Sequence, residues 1–250
     1  MCQIKEWFAM IATVVLSYAT TECSKQLTDL EFIEQGKSYC DAHRECFLRG
    51  KAKQMIGYMV GEEISLIFKT GGPRNSSWIN MHVLLHDDTS EDLWIYGEKP
   101  SSFQGDSNVW DIGKLYSTDG RVAFLNKNGK IYGTSDTTAQ RSFACGYRQD
   151  RRIDWVTRHE AFRYEMKLSL QMHATWHETQ SCFDRHVNLT KLKCACRCHL
   201  DNICRSFYFN DETKMCLHTL YVDSILMLSD WNVNPLGWKR YARPSWSLSP

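Results

Sequence analysis

The chain has 250 residues, and its 30 lysines and arginines against 29 acidic residues leave a formal net charge of +1. A balance so close to zero excludes bulk electrostatic attraction to nucleic acid or to an anionic membrane as the basis of function. Eleven cysteines, nine tryptophans and eleven tyrosines point instead to β-rich, cross-linked extracellular modules, and the length accommodates two modest domains.

The first residues read as an export signal. Lys5 supplies a positive start, residues 7–18 form a nearly unbroken apolar run, and Ser17 and Ala19 stand where a signal peptidase reads small side chains. Residues 1–19 are therefore expected to be a signal peptide, with a retained membrane anchor as the competing reading. The run is shorter than the roughly 20 residues that a span needs, and no other stretch is apolar enough to cross a bilayer. The mature protein is expected to be secreted, extracellular and without a membrane span. Export implies an oxidising compartment in which thiols pair. Cys2 leaves with the signal, and ten cysteines then remain, enough for five disulfides. The sequons Asn75-Ser76-Ser77 and Asn188-Leu189-Thr190 make Asn75 and Asn188 candidate glycosylation sites.

Residues to about 34 form a lead-in, with 29–33 a short edge strand. Residues 37–50 predict a helix: Tyr39, Ala42, Cys46 and Phe47 share one face, and Gly50 stands where a C-cap glycine belongs. A second helical pattern covers 62–68 and ends at Gly71, Gly72 and Pro73. The period then changes. Strands are predicted at 78–85 and 93–96, separated by an acidic loop, and a long polar loop runs on past Trp110. Residues 121–125 and 130–132 flank Asn126-Lys127-Asn128-Gly129, whose Asn-Gly step signals a hairpin. Residues 141–147 read as a closing strand.

The segments YCDAHRECFLRG, WINMHV, LWIYGEKPSSF, Trp110, RVAFLNKNGKIY and RSFACGY come in a family's order and spacing, and residues 35–147 resemble a C-type lectin-like domain. The resemblance implies a fold of two helices, a mixed or antiparallel sheet and a long loop region. It also implies a disulfide from the first helix to the last strand, here Cys46 to Cys145. The family's usual inner disulfide is missing, because no cysteine lies between 46 and 145. Sugar-binding members hold calcium with a carboxylate–Pro–amide loop and a later Trp-Asn-Asp. Here those positions read Gly113-Lys114-Leu115-Tyr116 and Lys130-Ile131-Tyr132-Gly133. Calcium takes several hard oxygen ligands, which lysine, leucine and isoleucine do not supply. No cofactor is expected, and a diverged calcium site on Glu98, Asp106, Asp111, Asp119 or Asp136 is disfavoured. The loops 97–116 and 131–138 are the expected contact region. Tyr96, Phe103, Tyr116 and Tyr132 are its candidate anchors, since aromatics dominate binding hot spots. Trp94 and Trp110 are weighed beside them, with core packing the favoured role for both.

Residues 148–163 intersperse Arg148, Arg151, Arg152, Arg158 and Arg163 with Asp150, Asp154 and Glu160. They read as a charged linker, with a patch for a sulfated polysaccharide as the competing reading. Residues 166–172 alternate as a half-buried strand. Beyond Cys182, the cysteines Cys194, Cys196, Cys198, Cys204 and Cys216 crowd together, either stapling a small core or holding a metal. A helix is predicted over 189–198, and strands over 206–209, 215–221 and 238–241.

Residues 164–243 resemble a PAN/apple domain, one helix packed on an antiparallel sheet. The resemblance rests on Cys194-x3-Cys198-x5-Cys204-Arg205-Ser206-Phe207-x-Phe209-Asn210, then Cys216-Leu217 and an aromatic closing strand, leaving 244–250 as a tail. It implies the pairs Cys194–Cys216 and Cys198–Cys204. Cys182 with Cys196, and Cys23 with Cys40, are then the expected leftover pairs. Cys194, Cys196, Cys198, His199 and Cys204 nominally suit zinc, but export oxidises the thiolates that zinc needs, so no metal site is expected. His159-Glu160 and His177-Glu178 open like metalloprotease helices, yet each lacks the second histidine four residues on. With no Gly-x-Ser-x-Gly elbow and no phosphate-cradling glycine loop, the chain is expected to have no catalytic residues.

The expected protein is thus a disulfide-stapled α+β chain that recognises an extracellular protein or glycan without calcium. Two alternatives stand beside it. One is a calcium-dependent lectin with a diverged site. The other is a glycosaminoglycan binder whose Lys191, Lys193, Arg197, Lys239, Arg240 and Arg243 gather on one face.

Overall fold

The computed structural model describes residues 30–63, 75–85, 94–98, 120–149, 162–165, 182–226 and 237–243. Strand β1 (Glu31–Lys37) leads into helix α1 (Tyr39–Ala52). Ser38 caps α1 by accepting a hydrogen bond from the Asp41 amide at 3.3 Å, Asp41 stands in the first turn, and Arg49 and Lys51 stand in the last, each complementing the helix dipole. Tyr39, Ala42 and Cys46 face inward as their spacing predicts, and His43 joins them.

Gly50 is not the cap. The helix runs a further half-turn to a Lys53 C-cap, and Gly50 serves a different need: a Cβ there would lie 2.1 Å from the Gly57 nitrogen. The two glycines let α1 lie directly against β2 (Met55–Met59). Of the helix predicted at 62–68, Glu62 and Glu63 form a turn, and the rest lies outside the described residues.

Next come β3 (Ser77–His82), β4 (Ile95–Tyr96), β5 (Val122–Leu125), β6 (Ile131–Thr134) and β7 (Arg141–Gln149). Asn126 Oδ1 accepts from the Asn128 and Lys130 amides, both at 2.9 Å, and Gly129 takes φ 79°, closing the β5–β6 hairpin. The sheet order is β1-β7-β3-β5-β6, with β2 along the second half of β7 and β4 on β3; among the described strands only β3–β7 is parallel. The closing strand overruns the expected linker, and Arg148 within it donates to the Tyr58 hydroxyl at 3.1 Å. The rest of that linker, and the strand predicted at 166–172, lie outside the described residues.

A second, wholly antiparallel sheet has the order β8-β12-β10-β11-β9. Its strands are β8 (Arg163–Glu165), β9 (Phe183–His186), β10 (Cys204–Asn210), β11 (Cys216–Leu220) and β12 (Trp238–Ala242). Helix α2 (Lys191–Leu200) packs on it, capped by Thr190, which accepts from the Lys193 amide at 3.2 Å. Cys194 and Cys198, one turn apart, both face the sheet and are bonded to Cys216 and Cys204. Cys46 is bonded to Cys145, tying α1 to β7.

The leftover cysteines pair otherwise than expected. Cys40 is bonded to Cys182 across 142 residues, not to Cys23, and Cys196 is exposed and carries no disulfide. Helical periodicity explains the difference. Cys196 lies two residues from each inward cysteine and so points away from the sheet, whereas Cys182 is buried in the core below α1. Cys23 lies outside the described residues.

The two sheets are not independent. One apolar cluster contains Tyr39, Cys46, Trp78 and Phe143 from the first half, and Cys182, Tyr221 and Val222 from the second. The chain after β11 crosses to the first sheet, where the Ile225 amide donates to the Leu84 carbonyl at 2.9 Å.

Replacing both Cys40 and Cys182 by alanine is expected to lower unfolding free energy by about 4 kcal/mol. The Cys46–Cys145 bond nests inside this loop and shortens it to roughly 40 residues of free chain. Urea denaturation measures the loss. A change below ~1 kcal/mol would show that the apolar contact alone holds the halves together.

Candidate functional site: a cavity between the two sheets

The inner face of α1 carries His43, which is 3% exposed. The Tyr39 ring meets it edge-on at 4.8 Å, and the Tyr221 ring from the second half stacks on it at 5.5 Å and 12°. Tyr221 adopts φ 64°, a left-handed conformation that bulky residues rarely take. Its surroundings hold it there. Its amide donates to the Ile203 carbonyl at 2.8 Å, and its own carbonyl accepts from Arg205 Nε at 2.9 Å. Arg205 also donates through Nη1 to the Asn202 carbonyl at 3.0 Å.

Phe47, Tyr58 and Asn80 complete the frame of a cavity of about 420 Å³, to which both halves contribute. Asn80 lies on β3 and is 1% exposed. The Gly97 amide donates to its carbonyl at 3.0 Å, and a Cβ on Gly97 would fall 2.0 Å from Asn80 Oδ1. Behind this turn Glu98 is buried, its Oε1 accepting from the Gly61 and Glu62 amides at 2.8 and 2.6 Å.

Four polar atoms in this region are buried without a partner: Tyr39 Oη, His43 Nε2, Asn80 Oδ1 and Glu98 Oε2. Unsatisfied groups of this kind are uncommon and call for a reason. Burial sets their protonation. It holds the His43 imidazole neutral, well below its usual range, with repulsion from His82 and Arg205 acting the same way. It pushes the Tyr39 phenol upward. It also raises the Glu98 carboxyl to about 7, against the opposing amide hydrogen bonds. The cavity thus offers ring faces, with the His43 and Asn80 side chains packed into its wall.

Tyr96 and Tyr132, the two candidate anchors among the described residues, do not lie together. Tyr96 pairs with Met81 and packs with the cluster around Ile79 and Trp94, whereas Tyr132 pairs with Phe124 and stacks on it at 5.6 Å. Phe124 packs on the opposite core cluster, so the two tyrosines lie on opposite faces of the sheet. Trp94 is fully buried, as its core role requires. Phe103, Trp110 and Tyr116 lie outside the described residues.

The expected basic face is corrected in part. Arg240 is 4% exposed and paired with Asp223. Arg243, also buried, donates to the Cys198 and Cys204 carbonyls at 2.6 and 2.7 Å and so caps the C-terminal end of α2. Alternation along β12 turns Trp238 and Arg240 inward and leaves Lys239 half-buried against Asp211, which Lys191 also approaches at 3.5 Å. Lys193 and Arg197 are exposed.

Ile131 is buried, and Tyr132 is half-buried and stacked on Phe124. Asp136 is spent on its own turn, accepting from Thr138 and Ala139. Asp106, Asp111, Asp119 and residues 113–116 lie outside the described residues. Asn75 and Asn188 are both exposed.

Sequence reasoning missed His43, Asn80, Arg205 and Tyr221. Only His43 carried a readable signal, one turn beyond Tyr39 on the apolar face of α1.

No protein-family profile and no curated protein matches this chain. Among solved structures it is similar to human lithostathine, at 20% identity over 48% of this chain and 82% of that one, with a TM-score of 0.36. It is also similar to the carbohydrate-recognition domains of mouse and human scavenger receptor C-type lectin. The mouse domain is 22% identical over 50% of this chain and 95% of that one, with a TM-score of 0.32. The human domain is 21% identical over 47% and 88%, with a TM-score of 0.31.

Two predictions come from these environments. Because the folded Glu98 carboxyl titrates at about 7 rather than the ordinary 4.5, its contribution is present in full below pH 4.5 and is lost as pH rises through about 7. Glu98→Gln keeps an acceptor for both amides without the charge. It is expected to flatten stability between pH 5 and 8 and to exceed the parent by up to about 3 kcal/mol at pH 8. Urea melts at several pH values measure this, and parallel curves would contradict it. Arg243→Ala is expected to cost at least about 2 kcal/mol, since it strips charged donors from buried carbonyls. Lys193→Ala is expected to change stability by less than ~0.5 kcal/mol.

Proposed function

We propose that this is a secreted, non-catalytic recognition protein. In this reading a C-type lectin-like first half and a PAN/apple-like second half act as one unit and bind an extracellular protein or glycan without calcium. The observation that carries the reading is the cavity framed by both halves, walled by Tyr221, Tyr58 and Phe47, with His43, Asn80 and Arg205 also among its lining residues. Its volume suits one sugar ring or one polar side chain of a partner. Stacking faces beside neutral donors and acceptors are the chemistry that such groups need.

The family resemblances are supported by the bonds they imply. Cys46–Cys145 ties the first helix to the closing strand, and Cys194–Cys216 with Cys198–Cys204 ties α2 to its sheet. The calcium-free reading draws on Ile131, Tyr132 and Asp136, which are engaged within the fold. A glycosaminoglycan site has less support, since Arg240 and Arg243 are buried in internal contacts.

A glycan array run with the purified mature protein, with calcium and again with chelator, tests this. Binding is expected to be indifferent to chelator and to fall at least tenfold in Tyr221→Ala. Chelator-sensitive sugar binding would contradict the reading. If the array is blank, capture of a protein partner that Tyr221→Ala abolishes is the expected result, and capture unaffected by that variant would remove the cavity from the account.

A further inference from the structure

Away from the cavity, the edge strand β9 places Asp184 and His186 on one side, two residues apart. Across the ladder Asp184 faces His218 on β11, and His186 faces Cys216, so all four side chains share one face. His186 Nε2 lies 3.2 Å from Asp184 Oδ2, and the two imidazole rings meet with centroids 4.9 Å apart. One nitrogen from each ring and one Asp184 oxygen lie within 4.8 Å of one another. His218 is buried, and its Nε2 stands 3.1 Å from the Cys194 carbonyl, an outer partner of the kind that orients a ligating histidine. Asp184 is exposed, which leaves one side of the group open to solvent. The nearby sulfurs of Cys194 and Cys216 are bonded to each other and are not thiolates.

We propose that Asp184, His186 and His218 form a zinc-class divalent cation site, with a fourth position open to water or to a donor from a partner. Two imidazoles and one carboxylate select a borderline cation such as zinc over calcium or magnesium, which take oxygen ligands. The cation replaces the proton held between His186 Nε2 and Asp184 Oδ2. Occupancy clamps the edge strand β9 to β11. Arg197 acts as a restraint on the site. Its Nη1 lies 3.2 Å from His186 Nδ1, and by donating there it favours the tautomer with the proton on Nε2, where the metal must bind. Arg197 is exposed and free to turn away, and its positive charge opposes the incoming cation.

The test is titration of the untagged, chelator-treated mature protein with cobalt(II), followed by displacement with zinc. A d–d band is expected to saturate at one equivalent, without the charge-transfer band that a Cys196 thiolate would give. Asp184→Asn and His186→Ala are each expected to weaken binding ~10-fold or more. Both residues lie toward the surface, so these variants keep the test independent of any folding defect in His218→Ala. Arg197→Gln is expected to tighten binding several-fold, which a merely structural role for the cluster would not produce. Zinc is further expected to raise the melting temperature of the parent protein and not of His186→Ala. No band, a thiolate band, or a band unchanged in Asp184→Asn and His186→Ala would overturn the proposal.

Discussion

The joint between α1 and the chain around Cys182 and Tyr221 is the constraint on which the rest depends. A disulfide from Cys40 to Cys182, the stacking of Tyr221 on His43 and the crossing of 221–226 onto the first sheet all meet there. Each half already holds its helix to its sheet by its own cystines. What the joint adds is a fixed relation between them, and with it a cavity that neither half frames alone. Interfaces within a chain more often permit relative motion, but a covalent bond inside a shared apolar cluster removes that freedom.

Rigidity at the joint also explains how unfavourable features persist beside it. Tyr221 in a left-handed conformation, a buried carboxyl at Glu98 and buried polar atoms on Tyr39, His43 and Asn80 each cost stability. Of these residues His43, Asn80 and Tyr221 line the cavity where the two halves meet.

Local structure was well written in the sequence. The Asn-Gly step gave the β5–β6 hairpin, and the spacing of Tyr39, Ala42 and Cys46 gave the inner face of α1. The i, i+4 relation of Cys194 and Cys198 put both on one side of α2. Where the reading failed, a long-range contact decided the outcome. Gly50 looked like a helix terminator, yet its place is set by the approach of Gly57 on a neighbouring strand. Arg240 and Arg243 looked like surface charges, and Asp223 and the end of α2 draw them inside. The pairing of Cys40 with Cys182 spans 142 residues, and no local pattern announces it. The cavity residues come from α1, β2, β3, β10 and the segment after β11, so they become a site only once the sheets are assembled.

Peptide mapping of the unreduced protein under acidic, alkylating conditions tests the joint most directly. This account predicts a cross-linked species joining the Cys40 and Cys182 peptides, with Cys196 absent from both. A Cys40–Cys23 or Cys182–Cys196 species in its place would show the halves held by non-covalent contacts alone, against the covalent joint. The shared cavity, and the recognition role built on it, would then have no fixed frame.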